Sequence, residues 1–331
     1  MSEKDGALSA SQGANLSSCW CGETDCESTC HPVYVSCKAC GTARIRDANA
    51  WSGDLVNGEE GLYSQEYWGA HQVDDFGYPP IEERAVSDLS GRCMQWLSVL
   101  LRHVLPPAHF VEIGCAHGGF VKLCKMAGFD ALGVEMAADI VGLAQRTFGV
   151  DVRKGPFDEL ECQFGGETVV YCMFDVIEHV PFPLETLRDL LNRSSGRVVL
   201  ILQTPEFRKP VHASVFKVPE HLHLFTRDSL SSALRRVGFS AIQFEESCFS
   251  YDMTVVASNV PLVENPEAAV VEALLRTGDG RVLNAMRGLA GRLGEAREKN
   301  RLLDGDGMGI RWASRQLVRS VLRRLGLRGA T

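Results

Sequence analysis

The stretch Phe110-Val-Glu-Ile-Gly-Cys-Ala-His-Gly-Gly-Phe120, followed by Gly133-Val134-Glu135, reads as a buried strand, a glycine turn, a helix and a second strand that ends in a carboxylate. Three apolar positions, Phe110, Val111 and Ile113, lead into Gly114, where the backbone must turn sharply. Gly118 and Gly119 then allow main chain to approach a ligand and a helix to start close to the sheet. Glu135 lies 21 residues after Gly114. In a βαβ unit that distance brings a carboxylate at the end of the second strand beside the first turn, where it can accept both hydroxyls of a ribose. The expected ligand fragment is adenosine.

Two adenosine cofactors compete, a dinucleotide and S-adenosylmethionine. The turn, spaced Gly114, Ala116, Gly119, is one alanine short of the dinucleotide fingerprint. Glu112, two residues before the first glycine, would repel a pyrophosphate but suits the cationic methionine end of the sulfonium cofactor. The residues expected to contact it are Glu112, Gly114, Cys115, Ala116, Gly118, Glu135 and Met136, with Phe157 and Phe174 at later strand ends.

The downstream chain carries a resemblance. Tyr171-Cys-Met-Phe-Asp-Val-Ile-Glu-His-Val-Pro181 is similar to the segment after strand four of class I S-adenosylmethionine-dependent methyltransferases, and Leu202-Gln-Thr-Pro205 resembles their fifth-strand ending. Pro219-Glu-His-Leu-His-Leu-Phe-Thr-Arg-Asp-Ser-Leu230 resembles the lead-in to their last helix, and Gly238-Phe239 the pair before strand six. The likeness covers roughly residues 108 to 258, with Ala116 as the departure where a second glycine is usual. It implies an enzyme with an α/β Rossmann-like sheet, mostly parallel, whose seventh strand runs antiparallel.

Strands are read at 110–113, 131–134, 150–154, 168–174, 197–203, 240–245 and 252–258, with helices at 117–127, 138–148, 184–192 and 228–237. The last two strands are too close in sequence for a crossover helix, so the seventh should return antiparallel to the sixth. Ligands in such sheets bind beyond the carboxyl ends of the strands, which predicts one cleft around Gly114, Glu135, Phe157, Asp175, His179 and Thr204.

Six of the twelve cysteines, Cys19, Cys21, Cys26, Cys30, Cys37 and Cys40, fall in one short segment. Cys37-Lys-Ala-Cys40-Gly41 has the two-residue spacer and trailing glycine of a zinc knuckle, and Cys19-Trp-Cys21-Gly22 is its expected partner. A structural zinc on Cys19, Cys21, Cys37 and Cys40 is expected, with Cys26, Cys30 or His31 able to replace one of the tighter first pair. So short a segment has too little core to fold alone, and a metal would supply its stability.

A zinc-ribbon-like head before such a domain resembles, more loosely, bacterial methyltransferases that act on sugars and on polysaccharide or natural-product intermediates. Leu62-Tyr63-Ser-Gln-Glu-Tyr67-Trp68 is similar to their tyrosine-rich segment, so Tyr63 and Tyr67 are read as contacts to a saccharide or small-molecule acceptor, or else as packing. The apolar spacing of Ile81, Ala85, Leu89, Trp96, Leu97, Leu100, Leu101 and Val104 predicts a covering helix that stops at Pro106 and Pro107.

A chain of 331 residues holds one α/β domain and a smaller attachment at each end. The expected division is a disordered leader at 1–18, the head at 19–60, an aromatic linker and covering helix at 61–107, the cofactor-binding domain at 108–260 and a helical tail at 261–331 with breaks at Gly278, Gly280, Gly305 and Gly307. A net charge of −8 argues against a broad grip on nucleic acid, though a local basic site is compatible with it. The leader resembles no secretion signal, so the cytoplasm is the expected location. In the tail, Leu317, Val318, Val321, Leu322 and Leu325 share one helical face and Arg311, Arg315, Arg319 and Arg323 another, a pattern that suits packing, an oligomer contact, or attachment to the inner face of a membrane.

Methyl transfer to a hydroxyl needs a base. His179, with an ordinary pKa near neutrality and Asp175 or Glu178 to orient it, is the first candidate. Asp175-x-x-Glu178-His179 with His221-Leu-His223 also resembles the magnesium- or manganese-binding pattern of methyltransferases acting on the 2′-hydroxyl at small-RNA ends; otherwise His221 and His223 are acceptor contacts or packing. The main expectation is therefore O-methylation of a saccharide or small metabolite. The alternatives are a metal-dependent RNA 2′-O-methyltransferase and a non-catalytic module in which the zinc head recruits a partner.

Overall fold

Interleaved stretches of the chain, three to each, assemble two packed units. The computed structural model describes residues 18–46, 67–75, 77–159 and 163–303. Within these, one unit takes 18–46, 163–166 and 173–261, and the other takes 67–159, 167–172 and 262–303. The leader, Tyr63, and the basic amphipathic segment at 310–325 lie outside the described residues.

In the second unit, β4 (His109–Ile113) pairs in parallel with β5 (Asp130–Glu135), placing Glu112 beside Gly133, and β5 pairs in parallel with β6 (Val152–Lys154). Strands covered on both faces read as unbroken apolar runs rather than alternating ones, and Phe110 and Val111 are accordingly buried. Helices α3 (Gly119–Ala127) and α4 (Ala138–Phe148) follow β4 and β5, and each stops on a left-handed glycine, Gly128 and Gly149. The predicted covering helix is present but interrupted. It divides into α1 (Ile81–Asp88) and α2 (Met94–His103) around a wide turn at Leu89–Cys93, because Gly91 takes φ −102° and ψ −109°, outside the helical region. In the tail, α7 (Glu267–Leu275) precedes α8 (Gly278–Leu303). The tail is interrupted at 276–277, directly before Gly278, whereas Gly280 sits within α8 and does not break it.

The first unit contains two sheets' worth of strands. A small sheet runs β1 (Cys26–Ser28), β2 (Tyr34–Cys37), β3 (Ala43–Ile45), β9 (His223–Leu224), all antiparallel. The head is therefore not set apart from the residues around 220: Tyr34, Ala43 and Ile45 share one core with Val215, Leu222 and Leu224. Burying a large apolar side chain stabilises by about 1.5–3 kcal/mol, which three short strands could not gather by themselves. In the same unit, β11 (Asp252–Ser258) lies antiparallel between β8 (Val198–Pro205) and β10 (Ala241–Glu245). The expected seventh strand thus runs against the sixth and also against the fifth. Helix α5 (Pro183–Asn192) precedes β8, and α6 (Arg227–Val237) begins on a capping box of Thr226 and Ser229.

With β7 (Val169–Phe174), fully buried, the large sheet has the order β10-β11-β8-β7-β4-β5-β6, a Rossmann-like sheet flanked by helices. Among the described residues no helix is long and apolar enough to cross a membrane.

Candidate active site

The glycine turn is shaped by left-handed backbone. Gly114, Ala116 and Gly118 have φ of 71°, 46° and 74°. At Ala116, a residue with a Cβ occupies a conformation that costs about 1–2 kcal/mol outside glycine. Gly118 tolerates no side chain, since a Cβ there would meet Ala144 Cβ at 2.9 Å and Val150 Cγ2 at 3.0 Å. Gly133 is equally constrained by Cys115 Sγ, 2.7 Å from where its Cβ would stand. Cys115 is thus buried packing between the turn and β5.

Glu135 closes this turn. Its Oε2 accepts the Ala116 N–H at 3.0 Å, and its Oε1 accepts the N–H groups of Met136 and Ala137 at 2.9 and 3.1 Å. Burial pushes its pKa up in spite of the three amides. A carboxylate has about four acceptor positions, so Oε2 retains one for a ribose hydroxyl. Glu112 is buried too, and burial holds its pKa well above the usual range. Its Oε2 has no hydrogen-bond partner among the described residues. A solitary buried acceptor beside the glycine turn suits the cationic end of S-adenosylmethionine, so the residues present fit that cofactor. Phe157 is buried edge-on against Tyr171, with ring centroids 5.6 Å apart.

One contributor to the turn escaped the sequence reading. His117 is buried, its Nδ1 accepts the Gly119 N–H at 3.0 Å, and its Nε2 faces Asp88 Oδ2 at 3.3 Å. Asp88 is held in turn by Arg92 at 2.7 Å and Arg84 at 3.6 Å. A histidine inside a glycine turn was the available signal.

In the ribbon-bearing unit, the segment after β7 turns sharply at Asp175, with φ of 57°. Asp175 Oδ1 accepts from Gln203 Nε2 at 3.3 Å, and the same amide nitrogen donates to Asp252 Oδ2 at 3.2 Å. Asp175 is thus engaged by Gln203. Phe174 is buried at the end of β7. Ile177–His179 forms a short 3₁₀ turn that brings Glu178 inward, fully buried, with its Oε2 accepting from the Thr204 hydroxyl at 2.9 Å.

Glu178 Oε1 stands 3.9 Å from His179 Nε2 and 3.9 Å from His221 Nε2. The two imidazoles meet edge to face at 4.9 Å. Nδ1 of His179 is 2.9 Å from the Glu220 carbonyl, and Nδ1 of His221 is 2.8 Å from the Val215 carbonyl. A carbonyl only accepts, so both Nδ1 atoms carry hydrogen and both Nε2 atoms present lone pairs toward Glu178.

Burial, with Lys217 nearby, holds the His179 pKa down to about 3, and His221 is lowered for the same reasons together with His179 itself. The near-neutral value expected for His179 does not survive its desolvation. Burial and the neighbouring Asp175 charge push Glu178 well up. The result is a neutral imidazole pair facing a carboxyl inclined to keep a proton.

The other acceptor candidates have partners of their own. His223, on β9, has Nε2 3.3 Å from the Pro181 carbonyl and a pKa lowered to about 4 by burial. Tyr67 is buried edge-on to Trp68 at 5.3 Å.

The four expected thiols converge. Cys19, Cys21, Cys37 and Cys40 place their sulfurs within 4.8 Å of one another, with Cys19–Cys40 at 3.5 Å and Cys21–Cys37 at 3.6 Å. Tetrahedral zinc with Zn–S of about 2.3 Å requires sulfurs about 3.8 Å apart, so the set fits that ion. Two knuckle turns close on Gly22 and Gly41, whose N–H groups donate to the Cys19 and Cys37 carbonyls, both at 2.8 Å. The Cys40 thiol is lowered to about 5 by its bond with Cys19, whose own pKa rises, as expected when neighbouring thiols share protons. His31 is not in the cluster; it stacks on Phe216 at 4.8 Å. Cys26 and Cys30 lie outside it as well.

Residues 86–243 match the family model described as a methyltransferase domain. No curated protein matches the chain significantly. Among solved structures it is similar to an S-adenosylmethionine-dependent methyltransferase, possible histamine N-methyltransferase, from Thermotoga maritima: 19% identity, 59% of this chain and 100% of that one, TM-score 0.42. It is also similar to the magnesium protoporphyrin IX methyltransferase of Synechocystis PCC 6803 with bound S-adenosylhomocysteine, at 15% identity, over 59% of this chain and 98% of that one, TM-score 0.44. A third is a methyltransferase from Archaeoglobus fulgidus, at 16% identity, covering 50% and 92%, TM-score 0.41.

Proposed function

We propose that this chain is an S-adenosylmethionine-dependent methyltransferase, its residues 86–243 matching a methyltransferase-domain model, and that it methylates a hydroxyl of a saccharide or similar small metabolite, with Glu178, His179 and His221 handling the hydroxyl proton. The observation that carries this reading is the convergence of two imidazole Nε2 atoms on one buried carboxylate oxygen, each at 3.9 Å. S-adenosylmethionine, when bound, supplies an electrophilic methyl on a sulfonium. The chain then has to align the acceptor and take its proton.

Neutral Nε2 lone pairs accept a hydrogen bond from a hydroxyl, and the Glu178 carboxyl, facing both rings, is the next group in line as the proton moves. Glu112 and Glu135 are assigned to the methionine and ribose ends of the cofactor. Cys19, Cys21, Cys37 and Cys40 are assigned to one structural zinc, which would complete a segment otherwise too small to be stable.

The test is an acceptor screen, nucleotide sugars first, with labelled S-adenosylmethionine. His179→Ala and His221→Ala should lose roughly 100-fold or more in turnover while keeping S-adenosylhomocysteine affinity. Unchanged turnover in both variants would remove the histidines from the chemistry.

A second reading is favoured by the same cluster. Glu178, His179 and His221 offer ligand atoms within 4.8 Å of one another, and among the described residues Glu178 Oε1 makes no hydrogen bond. Two imidazoles and a carboxylate suit manganese, iron or zinc better than magnesium. A cation held there would lower the pKa of a sugar or ribose hydroxyl. Asp175 and His223, engaged with Gln203 and the Pro181 carbonyl, are not part of that set. Transfer that stops on chelation and returns with manganese would favour this reading over proton handling alone.

A further inference from the structure

The ribbon and the acceptor-side histidines are tied together at three points. Tyr34 is fully buried, and its hydroxyl donates to the His221 carbonyl at 2.8 Å, with the Lys217 carbonyl at 3.2 Å. Strand β3 pairs with β9, Arg44 opposite His223 and Ala43 opposite Leu224. Leu222 links the two sides through its own peptide, because its carbonyl accepts the Ile45 N–H at 3.2 Å and its N–H donates to the Glu178 carbonyl at 2.8 Å. The cysteines bound these strands. Strand β2 runs from Tyr34 to Cys37, and β3 begins three residues after Cys40. Arg236 of α6 adds a bond to the Cys21 carbonyl at 3.0 Å.

We infer that the four-cysteine ribbon is a positioning device for the acceptor side of the site, with Tyr34 as the residue that fixes His221 and β3 as the strand that fixes Leu222 and, through it, Glu178. The inference rests on the proposed role of His179, His221 and Glu178 for its catalytic consequence, but not for its structural one. A ribbon this small, even with the core it shares with Leu222 and Leu224, is held tightly in register when its four sulfurs are drawn together. Release of the metal loosens β2 and β3, frees the Tyr34 hydroxyl and the Ile45 amide, and leaves the His221 and Leu222 carbonyls without their donors. Metal on the cysteines thereby controls acceptor geometry, without any cysteine touching the acceptor. Desolvation raises the Tyr34 phenol's pKa, which keeps it a donor across the working range.

The experiment is hydrogen exchange read by mass spectrometry on the full zinc-loaded chain, with and without a zinc chelator. Three peptides report: 34–45 in the ribbon, 219–226 around the histidines, and 109–135 in the glycine-turn unit. Chelation should speed exchange roughly tenfold or more in 34–45 and 219–226 together, with 109–135 and S-adenosylhomocysteine affinity unchanged. Deprotection of 34–45 with 219–226 still protected overturns the inference.

Should chelation also expose 109–135, Tyr34→Phe decides, since it keeps all four cysteines. Its zinc content and cofactor affinity should match the parent. Exchange in 219–226 should rise, and kcat should fall with the KM for S-adenosylmethionine unchanged. Unaltered exchange in 219–226 overturns the inference. Full turnover in His179→Ala and His221→Ala would reject the catalytic reading alone, because the exchange readout does not depend on it.

Discussion

Glu178 Oε1 and His221 Nε2 lie 3.9 Å apart, both buried, with the imidazole's other nitrogen bound to the Val215 carbonyl. The carbonyl fixes the tautomer, and the tautomer directs a lone pair at the carboxyl. Replacing Glu178 with Gln keeps the volume and the oxygen that accepts from Thr204 but removes the ionisable carboxyl that faces both histidines. Turnover should fall by roughly 100-fold, with S-adenosylhomocysteine affinity within twofold of the parent by calorimetry. Equal turnover in Glu178→Gln and the parent would show that the carboxylate is only structural.

Acid should destabilise the protein in a defined window. His179 and His223 have folded-state pKa values lowered to about 3 and about 4, against an ordinary 6.5. The unfolded chain binds these protons first, so stability falls as pH drops from about 6.5 toward 4. Each histidine contributes about 1–2 kcal/mol to that loss by pH 5. Glu178, whose pKa is raised, acts in the opposite sense: its contribution is present below the ordinary carboxyl pKa and is lost as pH rises through its folded value. The measurement is therefore a difference, urea unfolding of the parent minus His179→Gln at pH 7 and pH 5. A gap that does not depend on pH would contradict the buried neutral histidine.

Gly118→Ala tests the glycine turn. The new methyl would meet Ala144 and Val150 at 2.9 and 3.0 Å on a backbone with φ of 74°. A cost of about 2 kcal/mol and a melting temperature lower by about 4–8 °C are expected, together with weaker S-adenosylhomocysteine binding. Gly22→Ala, which meets no neighbour within 4 Å, controls for the φ penalty alone and should leave cofactor affinity intact.

Glu135→Ala should weaken S-adenosylhomocysteine by roughly 10- to 100-fold, because the amides of Ala116, Met136 and Ala137 lose a charged acceptor worth about 1.5–3 kcal/mol for each hydrogen bond to the charge. Calorimetric titration reads it. An unchanged dissociation constant would mean that neither the ribose nor the turn depends on this carboxylate.

Elemental analysis should find one zinc per chain on the cysteines, lost in Cys37→Ser and kept in Cys30→Ser, since only Cys37 belongs to the four-sulfur set. A second equivalent, lost in His221→Ala with the first retained, would identify the Glu178, His179 and His221 cluster as a metal site.

Much of the sheet was legible because local sequence carries it. Helix α4 begins and ends at the expected 138 and 148, and β11 at the expected 252 and 258. Unbroken apolar runs and left-handed glycines state those boundaries locally. The pair of cysteine knuckles was equally plain, because a metal site demands a fixed spacing within a few residues. The break at Gly91 was not, since a glycine amid good apolar periodicity is compatible with a continuous helix. Nor was the His117 contact to Asp88, which joins residues 29 apart in the chain.

By itself the sequence determined the strand order's raw material, the glycine turn, the four cysteines and the segments that carry Glu178, His179 and His221, because each is written in residues that are near neighbours along the chain. Which histidine joins Glu178 was decided only by tertiary structure. His221 and His223 are two residues apart, and the bend at Leu222, between His221 and the start of β9, separates them, so that one faces Glu178 and the other the Pro181 carbonyl. Their low pKa values were likewise beyond the sequence, for desolvation depends on everything that packs around a ring and not on the residues beside it.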